Sequence, residues 1–315
     1  MSPPFISWVK VLEYPRRKPP VLRFQHHMYP HRQSNIRFVI VLMTMCLLLL
    51  PITSHAELTA AEILKKSLEV QGGNDSISTL TFTFMEPNER ERKLAYTMIW
   101  KDYKGQDGIT TKMIFFKEFP PADKGIAYMT WMYTPDLSQD DDEWLYLPEL
   151  RTVRKLSKKI SDHSGENDKK DEDSEFTKSV LHRAQLVPRP LELDTFELAR
   201  TDEIDGKEYY VIERTPKKND SEYPYVKTIN WISKDNLLLT KIDYLDLNGK
   251  MALHQEIKWQ KIADAWVWDE VRATSKETGN TTVLNVTDVR INAGLDDESF
   301  TKRVMKLGID SLRLP

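Results

Sequence analysis

The chain has 315 residues, with 45 Lys and Arg against 48 Asp and Glu and a single cysteine, Cys46. A slightly acidic balance disfavours nucleic acid as the principal partner, because phosphate binding needs a basic surface. One thiol excludes a disulfide framework within the chain, so stability must come from an ordinary hydrophobic core.

The first feature is an uncharged apolar run, residues 38–52, preceded by Arg32 and Arg37 and followed by Ser54-His55-Ala56. It is short for a bilayer span, and small residues flank His55, so it reads as a secretory signal peptide cleaved after Ala56. The alternative is an uncleaved single-span anchor. A lipid anchor on Cys46 is disfavoured by Met45 before it and the leucines after it. Residues 1–27 are too long for the positive region of a leader, whereas a start at Met28 gives a leader of ordinary length. Residues 1–56 are therefore expected to be an extension plus signal peptide, and residues 57–315 one exported domain, periplasmic in a Gram-negative envelope. Removing seven of the 45 basic residues and one of the 48 acidic ones leaves 38 against 47 in the mature chain, a net charge of about −9. Cys46 leaves with the leader, which also removes thiol catalysis.

Thr59-Ala-Ala-Glu62 is a capping box, and Ala60, Ile63, Leu64 and Leu68 predict an amphipathic helix that stops at Gly72-Gly73. Beyond it the apolar spacing changes to period two. Strands are predicted at 77–86, 94–103, 110–119, 125–134, 143–147 and 150–156, with Pro120-Pro121, Pro135 and Pro148 as punctuation. The segment 157–175 is polar and charged throughout and predicts a mobile loop. A short helix over 176–187 would place Phe176, Val180, Leu181 and Ala184 on one side, ended by Pro188 and Pro190. From residue 194 the signal is again β, with Asp205-Gly206, Asn248-Gly249 and Gly279-Asn280 marking tight hairpins. Around the second of these, Met251, Leu253, Gln255, Ile257 and Trp259 face one way and Ala252, His254, Glu256 and Lys258 the other. Such a meander has to stack two sheets or curl into a barrel. Seven tryptophans remain after cleavage, and bulky amphipathic rings suit either a core or a cavity lining. No repeat of fixed period is visible.

Motifs that carry chemistry are absent. His163, His182 and His254 have no metal-ligand spacing, and no nucleophile elbow, zinc-protease helix or phosphate-cradling loop occurs. Asp140 to Glu143 lack the oxygen spacing of a calcium loop. The basic stretch Arg151, Arg154, Lys155, Lys158 and Lys159 has two readings: contact with an anionic head group or acidic partner, or the soluble side of an edge strand.

Four segments in order resemble the outer membrane lipoprotein-sorting protein family, the LolA/LolB-like periplasmic lipid carriers, and in particular larger members associated with RND-type exporters. They are Glu143–Lys155 (EWLYLPELRTVRK), Glu203–Ile212 (EIDGKEYYVI), Ile229–Asp235 (INWISKD), and Val286–Asn292 (VTDVRIN) leading to Asp296–Phe300 (DDESF). The resemblance runs over residues 57–306. It implies a mainly β fold, an open, incomplete antiparallel barrel with a few helices covering an apolar cavity that takes acyl chains. One departure stands out: the long charged loop and Ser174-Glu-Phe-Thr-Lys-Ser179 replace the short turn that follows the basic strand in the family.

The expectation is therefore a non-enzymatic, monomeric carrier without cofactor or metal. Its partners would be lipid or lipoprotein acyl chains and an RND-type inner-membrane transporter. The alternative is an accessory or scaffold subunit of such an exporter, and an envelope hydrolase is a third reading. The apolar strand faces bearing Trp100, Phe115, Trp131, Tyr133, Trp144, Tyr146, Trp231, Tyr244 and Trp259, with Leu64 and Leu68 on the covering helix, are expected to line the cavity. Met98, Met113, Met129 and Met132 suit an adaptable wall.

Overall fold

A computed structural model describes residues 58–69, 73–134, 137, 139–156, 179–187, 189–218 and 223–312. The predicted signal peptide and the charged segment 157–175 lie outside these.

Helix α1, Ala60–Glu69, starts where the capping box places it. Thr59 N donates to Glu62 Oε2 at 2.8 Å, and Glu62 N donates back to Thr59 Oγ1 at 3.3 Å. Two otherwise unpaired amides are thereby satisfied, and the hydrogen bonds hold the Glu62 carboxyl below its ordinary pKa. Ala60, Ile63, Leu64 and Ser67 are its buried positions.

Thirteen strands follow among the described residues. The first six are β1 (Asp75–Met85), β2 (Arg92–Asp102), β3 (Ile109–Phe119), β4 (Ala127–Tyr133), β5 (Asp142–Leu147) and β6 (Thr152–Leu156). After a short helix α2, Arg183–Leu186, come β7 (Asp194–Ile204), β8 (Lys207–Pro216), β9 (Lys227–Ser233), β10 (Leu239–Leu245), β11 (Met251–Ile262), β12 (Ala265–Ser275) and β13 (Thr281–Ile291). A six-residue helix α3, Lys302–Leu307, lies near the end. The Asp205-Gly206 turn joins Ile204 directly to Lys207, with φ of 52° and 74°, the left-handed pair that a tight hairpin requires and that glycine adopts without strain.

All strands form one sheet in the order β6-β5-β4-β3-β2-β1-β13-β12-β11-β10-β9-β8-β7, and every pairing is antiparallel. Two meanders are thus stitched together where β1 meets β13, with Leu80 opposite Val286 and Phe82 opposite Leu284. Among the described residues, strands β6 and β7 follow one another and form the two edges of an unclosed sheet. On β6, Thr152, Arg154 and Lys155 are exposed, and charge of this kind discourages edge-to-edge pairing.

The two faces of the sheet carry separate cores. One gathers Leu80, Phe82, Leu94, Ile242, Tyr244, Leu253, Ile257, Val271 and Leu284 from strands at both sides of the β1–β13 seam. The other gathers Ile77, Ile99, Ile114, Phe116, Ala127, Met129, Trp144 and Tyr146 from β1 to β5, under Leu295, Phe300, Val304 and Met305. This C-terminal strap is built from two capped turns: Asp296 accepts from Ser299 N at 3.0 Å, and Thr301 caps α3 through Val304 N. A third cluster joins Ala60, Ile63 and Leu64 of α1 to Ile212 and Ile232.

Of the helix expected over 176–187, residues 176–178 lie outside the described residues, and within 179–187 helix is confined to α2, four residues long. Val180 N donates to Thr282 Oγ1 at 3.0 Å and Leu181 N to Ser179 Oγ at 3.1 Å, which pins the chain before α2 to β13 outside helical conformation.

Candidate functional site: an apolar cavity under the sheet

Strand β3 shows how the site arises. Lys112, Ile114 and Phe116 are buried, whereas Thr111, Met113 and Phe115 between them are only half-buried. Period-two alternation sends the first set toward the C-terminal strap and the second toward a void. Met98 and Trp100 of β2, Met132 of β4, Val286 and Val289 of β13, and Trp266 and Trp268 of β12 line the same space, and Leu68 of α1 with Leu186 and Val187 cover it. Its volume is about 510 Å³, within the range of roughly 300–1,000 Å³ of small-molecule sites.

A second, smaller cavity of about 80 Å³ continues toward β8 and β9, bounded by Leu64, Arg189, Arg214, Tyr223, Asn230 and Tyr244. Leu68, Leu186, Val187, Trp259 and Trp268 border both, so the two spaces adjoin. The covering segment is held by a buried polar relay. Tyr244 OH donates to Gln255 Oε1 at 2.7 Å, Gln255 Nε2 donates to Gln185 O at 3.3 Å, and Gln185 Nε2 donates to Tyr225 OH at 3.1 Å. Burial pushes the Tyr244 pKa well up, so it stays a neutral donor.

The wall is almost free of unpaired polar groups. Trp259 Nε1 donates to Leu239 O at 2.7 Å. Ser78 Oγ and Trp268 Nε1, both on wall residues, have no partner. The lining is mostly apolar, with Ser76, Ser78, Asp102 and Thr111 as its polar members, and suits hydrocarbon over most of its area.

Of the residues expected to line a cavity, Leu64, Leu68, Trp100, Phe115, Tyr244 and Trp259 border one or both spaces. Trp131, Tyr133, Trp144, Tyr146 and Trp231 do not, which corrects the expectation. Trp144 pairs with Met129, and Met129 with Ile114, so strand parity turns Trp144 and Met129 to the strap side together with Tyr146. Trp131 packs edge-on against Trp144 at 5.2 Å, and Lys112 Nζ sits 4.3 Å from its ring and 3.0 Å from Asp297. Tyr133 OH donates to Asp142 at 3.3 Å. Trp231 Nε1 donates to Asp202 at 2.8 Å, with Lys241 Nζ 4.1 Å over its ring. Trp131, Tyr133 and Trp231 are thus held by polar or cationic partners, and Trp144 and Tyr146 by the apolar cluster under the strap.

Sequence reasoning missed Trp266, Trp268, Arg189 and Arg214. The first two follow a register shift between Lys258 and Trp259 that breaks the alternation. His254 Nδ1 lies 2.5 Å from Asp243 Oδ1, away from the cavities. Among the described residues no cluster of His, Cys, Asp and Glu is arranged to hold a metal, and no helix is long and apolar enough to cross a membrane.

A family model described as an uncharacterized protein family matches residues 108–307, more than half of the chain. The chain belongs to this family. Solved structures give the fold a name. A domain described as an outer membrane lipoprotein-sorting protein from Vibrio parahaemolyticus is 22% identical with a TM-score of 0.61, covering 78% of this chain and 98% of that one. A DUF1329 family protein from Desulfovibrio piger is 24% identical, TM-score 0.62, with coverage of 78% and 97%. A LolA superfamily protein from Nitrosomonas europaea is 20% identical, TM-score 0.54, with coverage of 78% and 99%. The open 13-stranded sheet is therefore LolA-like. No curated protein sequence matches the chain.

Proposed function

We propose that this LolA-like protein is a non-enzymatic periplasmic carrier that shelters an acyl chain of a lipid or lipoprotein while it crosses toward the outer membrane. The observation that carries the reading is the apolar cavity of about 510 Å³ between the sheet and its covering segments. Each methylene exposed to water costs about 0.8 kcal/mol, so a sixteen-carbon chain carries roughly 12 kcal/mol that burial offsets. Transfer of this kind needs enclosure and release, not bond chemistry. Three wall methionines, Met98, Met113 and Met132, supply unbranched side chains that can repack around a chain and let it go. The lipoprotein-sorting description of the Vibrio protein agrees with this reading.

The test is binding of a fluorescent fatty acid by the purified protein and by Met113→Asp with Phe115→Asp, alongside solvent extraction and mass spectrometry of the wild type. A carrier brings lipid through purification and loses probe binding in the double variant while keeping its β circular-dichroism spectrum. A protein that is free of lipid and indifferent to both charges would instead be a scaffold with an idle cleft.

A further inference from the structure

The smaller cavity ends on charge. Asp194, with its side chain fully buried, is shared by two arginines whose side chains are 13% and 12% exposed: Arg189 Nε approaches Oδ1 at 3.2 Å, and Arg214 Nε hydrogen-bonds Oδ2. Arg214 Nη2 donates to the carbonyls of Arg189 at 2.7 Å and Pro190 at 3.3 Å. Its third nitrogen, Nη1, has no partner among the described residues, and Arg214 borders a cavity whose lining mixes apolar residues such as Leu64, Leu239 and Ile242 with the neutral polar side chains of Thr228 and Asn230. For a guanidinium nitrogen on a partly apolar cavity, an anion gives the strongest available hydrogen bond. Asp194 already accepts from both arginines. Thr228 and Asn230, in the same lining, hydrogen-bond each other rather than Arg214, which leaves Nη1 available to an acceptor carried by a ligand.

Two further features fit an anion there. Tyr223 borders the same space, and burial pushes its pKa up to about 12, so it stands beside the guanidinium as a neutral phenol and not as a competing negative charge. The smaller cavity, with room for several water-sized groups, opens past Leu68 and Trp259 onto the larger apolar one.

We propose that the ligand is an amphiphile with a single anionic head, a carboxylate or a phosphate, seated against Arg214, with its hydrocarbon running past Leu68 and Trp259 into the larger cavity. This rests on the carrier reading and narrows its cargo. Arg214 is fixed by Asp194 and the two carbonyls before ligand arrives, so little ordering remains to be done on binding.

The test is displacement of a neutral apolar dye, N-phenyl-1-naphthylamine, from the full mature chain by four competitors of equal chain length. These are palmitic acid, hexadecanol, palmitoyl lysophosphatidic acid and monopalmitoylglycerol. The anionic members should compete about tenfold or more better than the neutral ones, a difference of roughly 1.4 kcal/mol, and Arg214→Gln should close that gap whereas Arg214→Lys keeps part of it. Preference for the acid alone identifies a fatty acid as the source of charge, and preference for the phosphate alone identifies a phospholipid. Equal competition by acid and alcohol in the wild type overturns the anion site and leaves the carrier standing. Failure to bind the dye or any competitor overturns the carrier reading itself. Because the wild-type comparison decides by itself, a variant that does not fold leaves the answer intact. A gap that survives in folded Arg214→Gln removes Arg214 from the site.

Discussion

Ile114 and Met113 are neighbours on one strand, yet they live in different environments. Ile114 and its companion Ile99 are 0% exposed under the C-terminal strap, as is Phe300 within it, while Met113 and Phe115 border an unfilled space. On the strap face Ile77, Ile99, Ile114, Phe116, Met129 and Trp144 pack with the strap into one buried cluster. The cavity face gives up that packing over part of its area. Both faces carry buried core and so serve stability, and one of them also leaves room for the ligand proposed above.

Substitutions on the two sides should separate these roles. Phe300→Ala, on the strap, should cost about 3–5 kcal/mol, read from urea unfolding, because the cavity it leaves cannot collapse between two rigid layers. An effect under 1 kcal/mol would mean that the strap is a loose appendage. On the other side, Thr59→Ala removes one half of the capping box of α1 and should cost about 1 kcal/mol, with a larger proportional effect on dye retention, since Leu64 and Leu68 of that helix border the cavities. Met113→Ala should cost roughly 1 kcal/mol or less in stability, because a side chain already facing a void loses few contacts. Its effect should appear in ligand off-rate instead.

The smallest effect is electrostatic. Hydrogen bonds from Tyr103 OH and Lys112 Nζ hold the Asp297 carboxyl below its ordinary pKa of 3.8. A carboxyl with a lowered folded pKa stabilises the protein above its unfolded value, and that stabilisation is lost as pH falls through the folded value. Thermal unfolding of wild type against Asp297→Asn should therefore differ by a constant amount at neutral pH and converge in strong acid. The gap will be modest, since the Asp297 side chain is 72% exposed and solvent screens it.

Much of the fold was legible in advance because it rests on local signals. The capping box at Thr59 and Glu62, the strands before and after the charged segment, the Asp205-Gly206 hairpin and the edge character of the Arg151–Lys155 stretch all follow from residues within a few positions of one another. The site was legible only in part. Trp100, Phe115 and Trp259 were assigned to the cavity, but so were Trp131, Trp144 and Trp231, because an aromatic on a half-apolar strand looks the same from either face. Helix α3 escaped notice because six residues carry too little periodicity, and its burial of Val304 and Met305 exists only against β1–β5.

The amino-acid order by itself determined the elements: where helix gives way to strand, where the hairpins turn, and that successive side chains alternate. It could not determine which of the two alternating sets faces the void. That choice was made by the seam between β1 and β13, whose paired residues lie about 200 positions apart in the chain, and by the C-terminal strap that covers one face. A period of two has no intrinsic inside, and only long-range pairing supplies one.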